Sequence, residues 1–141
     1  MPDNLEHSTS TLLKKAALLL TKQASQELRK IDLAHAYTPF LMQLWQTDGQ
    51  TQTELRKKIG IEQPTAVRTL DRMQRDGLIL RKASSSDRRV SYIYLTQYAK
   101  NLEADVMACA QTINTLALKD FSSQDKKTIN KLLITIIKNL E

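Results

Sequence analysis

Thr51-Gln52-Thr53-Glu54-Leu55-Arg56-Lys57-Lys58-Ile59-Gly60-Ile61-Glu62-Gln63-Pro64-Thr65-Ala66-Val67-Arg68-Thr69-Leu70 is the stretch that decides the fold. Thr51 and Glu54 stand three apart, the spacing of a capping box: the Thr hydroxyl accepts from the third backbone N–H and the Glu carboxylate reaches back. The pattern predicts a short helix over 52–59 closed by Gly60, because glycine takes the left-handed conformation that helix ends favour. Pro64 suits the first position of a second helix. Ala66, Val67, Leu70 and Met73 recur there at helical spacing, and Gly77 ends the run. Two short helices around the tight turn 60–63 make a helix-turn-helix.

Leu78–Lys82 is a strand candidate, Ala83–Arg88 a polar loop, and Val90–Leu95 a β-branched and aromatic return strand. Two strands around a polar loop, directly after a helix-turn-helix, predict a winged helix. Upstream, Ser8-Thr9-Ser10 can cap a helix in which Leu12, Ala16, Leu19, Leu20, Ala24, Leu28 and Ile31 recur to about residue 30. A break over 32–38 follows. Pro39 opens another helix with Phe40, Leu41, Leu44 and Trp45 on its apolar face, ended by Asp48-Gly49. Past the wing, Thr96 can cap a long helix. Its apolar seam, Leu102, Val106, Cys109, Ile113 and Leu116, advances in steps of four and three. Ser122 or Ser123 with Asp125 starts a last helix, one broad face of which carries Ile129, Leu132, Leu133, Ile136, Ile137 and Leu140.

The expected fold is mainly α. Residues 1–34 form an N-terminal dimerisation helix, 35–100 a winged helix-turn-helix with a two-stranded β-wing, and 101–141 C-terminal dimerisation helices, together one compact domain. A single small winged helix cannot cover the apolar surface of the terminal helices, which leaves a second copy or an intramolecular bundle. The second copy is the more economical cover, through Leu12, Leu13, Ile113, Leu116, Ile129, Leu132, Leu133, Ile136, Ile137 and Leu140.

Composition narrows the function. A length of 141 residues with 41% hydrophobic content supports a core without disulfide staples. Three glycines and three prolines are too few for the turns of a β-sandwich or barrel. No uncharged apolar run approaches the ~18 residues of a membrane span. Residues 1–10 carry Asp3 and Glu6 and lack a basic-then-apolar pattern, so no secretory signal is expected. The lone cysteine, Cys109, allows neither an internal disulfide nor a Cys-rich zinc site, and a cytoplasmic, nucleoid-associated protein is expected. An enzyme is not: His7 and His35 have no paired carboxylate or nucleophile near them in sequence, and neither a phosphate-cradling glycine loop nor metal-ligand spacing occurs.

The net charge of +6 lies wholly in the middle third: residues 51–100 hold eleven Lys/Arg against five Asp/Glu, and both flanks are neutral. A concentrated cationic module between neutral arms fits a polyanion, here double-stranded DNA. A membrane surface would need one long amphipathic helix, and Gly60, Pro64 and Gly77 break the segment. On the helix after Pro64, Gln63, Thr65, Arg68 and Thr69 are placed to read the major groove, with Arg72 further along on phosphate. Arg56, Lys57, Lys58, Arg81, Lys82 and Arg88 would meet phosphates. Arg89 at the wing suits a narrow minor groove, and Asp87 would hold an arginine in place, either in the wing or on the recognition helix. Phe40 and Trp45 could border a pocket for an aromatic acid or be plain core.

These residues resemble the MarR family of winged-helix regulators. Asp87, Arg89, Leu95 and Thr96 fit its Asp-x-Arg-x5-Leu-Thr wing signature. Gly60 through Asp71, Asp76-Gly77-Leu78-Ile79 and Ser86-Asp87-Arg88-Arg89 are similar to the SlyA branch. The strong similarity covers about residues 50–100; the flanks match only in helix pattern and order. The resemblance implies an obligate, triangular homodimer at near-palindromic promoter sites, without a cofactor, and often released by a small phenolic or aromatic acid such as salicylate. Pro64 is carried over as part of the recognition-helix motif. Arg56 departs from the family's small residue after Glu-Leu; it either snorkels toward phosphate or marks different local packing. Two other readings stand beside this one: a non-specific DNA-coating or architectural protein, and a redox-sensing regulator acting through Cys109.

Overall fold

Ser8 starts the first helix by accepting the Thr11 backbone N–H at 3.4 Å. The computed structural model describes residues 5–141, so Asp3 of the N-terminal reading lies outside the described residues. Helix α1 (Thr9–Arg29) buries only Leu28, in its final turn. The chain then bends through Asp32, at φ +54°, into a 3-10 turn at His35–Tyr37. Helix α2 (Thr38–Gln46) places Pro39 in its first turn, where the missing N–H has no intrahelical acceptor to lose. It buries Phe40, Leu41 and Leu44.

Gly49 follows at φ +74°, and a Cβ there would stand 2.8 Å from the Tyr94 ring. That close approach lets Gln50–Thr51 pair as strand β1 with the far side of the wing. The sequence pattern misses this strand because two residues show no period-two alternation. Helix α3 (Gln52–Ile59) has both halves of the expected capping box: the Glu54 N–H donates to Thr51 Oγ1 at 3.1 Å, and the Thr51 N–H to Glu54 Oε2 at 3.3 Å. Gly60, at φ +78°, closes it. Helix α4 (Gln63–Arg75) begins one residue before Pro64, with Glu62 as a cap residue that makes no side-chain cap bond.

Strands β2 (Ile79–Ala83) and β3 (Ser91–Leu95) pair antiparallel from Ile79↔Leu95 to Ala83↔Ser91. The sheet therefore has three strands in the order β1-β3-β2 rather than the two expected. Thr96 caps α5 (Gln97–Asn101) by accepting the Ala99 N–H. The single long helix expected next is interrupted at Leu102, where the backbone tightens so that its N–H bonds Ala99 while its side chain stays in the core. Helix α6 (Glu103–Ala117) continues and packs on α1. Ser122 and Asp125 form a second capping box for α7 (Ser123–Leu140), in which no residue is buried.

One core runs from Leu28 and Leu33 through α2, α3, α4 and the sheet to Ala99, Leu102 and Val106. The outer ends of α1, α6 and α7 do not share it. Leu12, Leu19, Leu116, Leu132, Ile137 and Leu140 are exposed, so the chain alone does not close an intramolecular bundle over them. An apolar groove of about 610 Å³ lies among the three helices, lined by Leu13, Leu20, Ile113, Phe121, Ile129 and Leu133. Among the described residues, no helix is long and apolar enough to cross a membrane.

Candidate nucleic-acid interface

The periodicity of α4 divides it cleanly. Ala66, Leu70 and Met73 are fully buried, and Gln63, Pro64, Thr65, Arg68 and Arg72 are exposed. Residues three, four and seven apart share a helical face, so Thr65, Arg68 and Arg72 form one stripe. Thr69 is not on it: its side chain is buried, and its hydroxyl donates to the Thr65 carbonyl at 2.9 Å. This corrects its expected role in the groove. The position falls on the edge of the apolar face, and a threonine there satisfies its hydroxyl on the preceding turn.

Arg81 is the second correction. Its Nη1 donates to Asp71 Oδ1 at 2.6 Å and to Gln74 Oε1 at 3.1 Å, with its side chain mostly buried. The cation expected on a phosphate instead ties the root of β2 to the outer side of α4. A separation of ten residues across a helix end hides this pair from any local pattern. Lys82 remains exposed, its Nζ 5.2 Å from the Tyr94 ring centroid.

The wing is built by its own side chains. The Ser84 hydroxyl accepts the N–H groups of Ser86 and Asp87, and the Ser84 N–H donates to the Val90 carbonyl at 2.8 Å. Of the two arginine partners open to Asp87, the structure selects Arg89. Asp87 Oδ1 accepts the Arg89 backbone N–H at 3.0 Å and its Nε at 3.1 Å, and Oδ2 accepts Nη2 at 3.3 Å. These bonds, the guanidinium first and the backbone second, hold the Asp87 carboxyl below its usual range. Arg89 is nonetheless 90% exposed, so its outer face is free to meet another anion. Arg88 beside it is exposed as well.

On α3, Lys57 is exposed and Arg56 half-buried. The Arg56 carbonyl accepts the Gly60 and Ile61 N–H groups, so the helix closes normally around this cation. Lys58 has an internal partner: its Nζ donates to Gln50 Oε1 at 2.8 Å, while buried Gln50 donates to the Gln43 and Thr47 carbonyls at the end of α2. Lys58 itself is exposed, and the neutral Gln50 amide leaves its charge in place. Phe40 is core, and Trp45 is half-buried, donating from Nε1 to the Ala99 carbonyl at 3.0 Å. Cys109 is half-buried on α6, its Sγ 3.8 Å from the Glu27 carbonyl; burial, with Glu27 next, pushes its thiol up. Less thiolate means less of the reactive form that an oxidant sensor needs. Among the described residues, no group of His, Cys, Asp and Glu could hold a metal ion.

A helix-turn-helix with an antiparallel wing, its exposed cations gathered on α3, α4 and the wing tip, defines a winged-helix protein of the gene-regulatory kind. Residues 39–91 match the sequence profile of the MarR family. The crystal structure of transcriptional regulator PA3341 is 30% identical to the chain, covering 94% of it and 98% of that protein, with TM-score 0.79. A MarR transcriptional regulator from Methanosarcina mazei Go1 is 25% identical, with coverages of 92% and 96% and TM-score 0.80. The S. aureus MepR–DNA complex shares the fold at TM-score 0.85 and 22% identity, with coverages of 95% and 99%. The chain belongs to the MarR family of transcriptional regulators.

Proposed function

We propose that this protein is a SlyA-like, homodimeric and sequence-specific DNA-binding regulator. Residues 35–100 are the reading head, and 1–34 with 101–141 are the dimerisation arms. The observation that carries the proposal is the exposed Thr65–Arg68–Arg72 stripe of α4 standing beside a wing whose Asp87 braces an outward-facing Arg89. Gln63, Pro64, Thr65 and Arg68 enter the major groove. Arg56, Lys57, Arg72, Lys82 and Arg88 meet phosphates, and Arg89 enters the adjacent minor groove. The apolar faces of α1, α6 and α7 support a second copy as their cover, since burying each exposed leucine or isoleucine contributes roughly 1.5–3 kcal/mol. A small phenolic or aromatic acid releases the complex by binding one spacing of the two heads better than the other.

Footprinting on a bound duplex tests the arrangement. Two protected major-groove segments one duplex turn apart, flanked by minor-groove protection, are expected, and salicylate should remove them together. Continuous protection without segments would instead identify a DNA-coating protein. Protection that salicylate leaves untouched would remove the effector from the proposal and retain the reader.

A further inference from the structure

One contact joins the base of the reading head to the segment that leads out of α1. Tyr37 closes the 3-10 turn between α1 and α2, with its ring buried, 6% exposed. Its hydroxyl donates to Asp76 Oδ2 at 2.7 Å across 39 residues of chain. Asp76 is the C-cap of α4, and its other carboxylate oxygen accepts Arg75 Nε at 3.1 Å. The Tyr37 bond, ahead of Arg75, holds the Asp76 carboxyl below its usual range, so the acceptor is a full carboxylate at neutral pH. Arg75 of α4 also faces the Tyr37 hydroxyl, so the same corner holds both partners; the other inter-element ties of α4, from Asp71 and Gln74, run to Arg81 in the wing.

Position gives this bond its consequence. Only Leu28 at the end of α1 enters the core, and the chain from there to Tyr37 is short and bent through Asp32. A movement of α1 reaches residues 35–100 directly through the Leu28–Tyr37 segment, beside the route through α6, which packs on α1 and enters the core at Val106. The far end of the bond is the C-cap of α4, whose first turns carry Thr65 and Arg68. Ala66, Leu70 and Met73 seat the helix in the core, and the bond adds a directional, charge-assisted tether at the end remote from those first turns.

We propose that Tyr37 and Asp76 form a latch that fixes the angle of α4 against the dimerisation arm, and so sets which half-site spacing the dimer accepts. Tyr37 is a positioning residue: it acts on DNA only through Asp76 and α4. The inference rests on the dimeric DNA-reading function proposed above.

The test uses the full chain and duplexes with the selected half-sites placed 9, 10, 11 or 12 bp apart, with affinities measured for wild type, Tyr37→Phe, Asp76→Ala and the double variant. Wild type should prefer one spacing. Tyr37→Phe keeps the ring in the core and removes only the donor, and it should lower the preference for that spacing over its neighbours at least about fivefold, the small end of ordinary coupling. Asp76→Ala should flatten the profile similarly, and the double variant no further. A Tyr37→Phe profile equal to wild type, or a loss equal at every spacing, would overturn the latch. A wild type that binds every spacing alike would overturn the dimeric reader itself, and that is read from the wild type before any variant.

Discussion

Arg68 carries a guanidinium on an exposed turn of α4, and among the described residues no carboxylate lies within ion-pair distance of it. Five donors in a fixed fork suit the O6 and N7 of guanine. Arg68→Ala should therefore weaken specific binding by about 1–3 kcal/mol and relax selection at one base pair, read by competition among single-base variants of the site. Lys57 is a point charge on a short helix, so Lys57→Ala should weaken all sequences alike and reduce the slope of log affinity against log salt by about one. Equal behaviour of the two variants would contradict the division between base and phosphate contacts. Asp87 sets a pH expectation. Its carboxyl is held down by Arg89 in the fold, so the ordering it gives the wing is present above the unfolded value of about 3.9 and is lost as pH falls through the lower folded value. The wing contribution to DNA affinity should then be flat between about pH 5 and pH 8, measured as the ratio of wild type to Asp87→Asn. A step inside that window would contradict the Asp87–Arg89 assignment.

At the scale of elements, the helix-turn-helix was legible because its signals are local: a Thr-Glu pair three apart, a glycine at a left-handed turn and apolar residues in register. Thr51→Ala removes one half of the box and should lower stability by about 1 kcal/mol, measured by urea unfolding. The wing hairpin was legible from its β-branched and aromatic return strand, and Asp87 as the brace of an arginine was legible too, with the structure choosing Arg89 two residues on. Illegible were contacts between residues distant in sequence. Strand β1 exists because Gly49 lets the chain pass against Tyr94. Arg81 looks like a phosphate contact by type, yet Asp71 and Gln74 occupy it. Thr69 is polar by type and buried by phase. The Arg81 clamp yields its own expectation. Arg81→Ala should weaken specific binding by loosening wing from helix while leaving the salt slope unchanged, because Asp71 rather than a phosphate neutralises this cation. A slope reduced by about one would return Arg81 to the phosphates.

At the scale of the molecule, the core lies mainly within residues 35–100 and is extended by Leu28, Leu33, Leu102 and Val106, while the outer ends of α1, α6 and α7 carry uncovered apolar surface. Charge has its own division along the chain, since the whole excess of +6 sits between neutral flanks. A carboxylate placed in the middle of α7, as in Leu133→Asp, would have to be desolvated in a dimer and not in a monomer. Sedimentation should show a dimer for wild type and a monomer for Leu133→Asp, with affinity for paired half-sites lost and weak affinity for a single half-site retained. The central question is whether two heads read two half-sites. Selection of bound duplexes from a random pool, at about 0.15 M salt with competitor DNA present, asks this directly. A dimeric reader should enrich a near-palindrome whose half-sites are about 10 bp apart, one duplex turn. Strong binding with no enriched sequence would contradict it and leave a protein that coats DNA through charge alone.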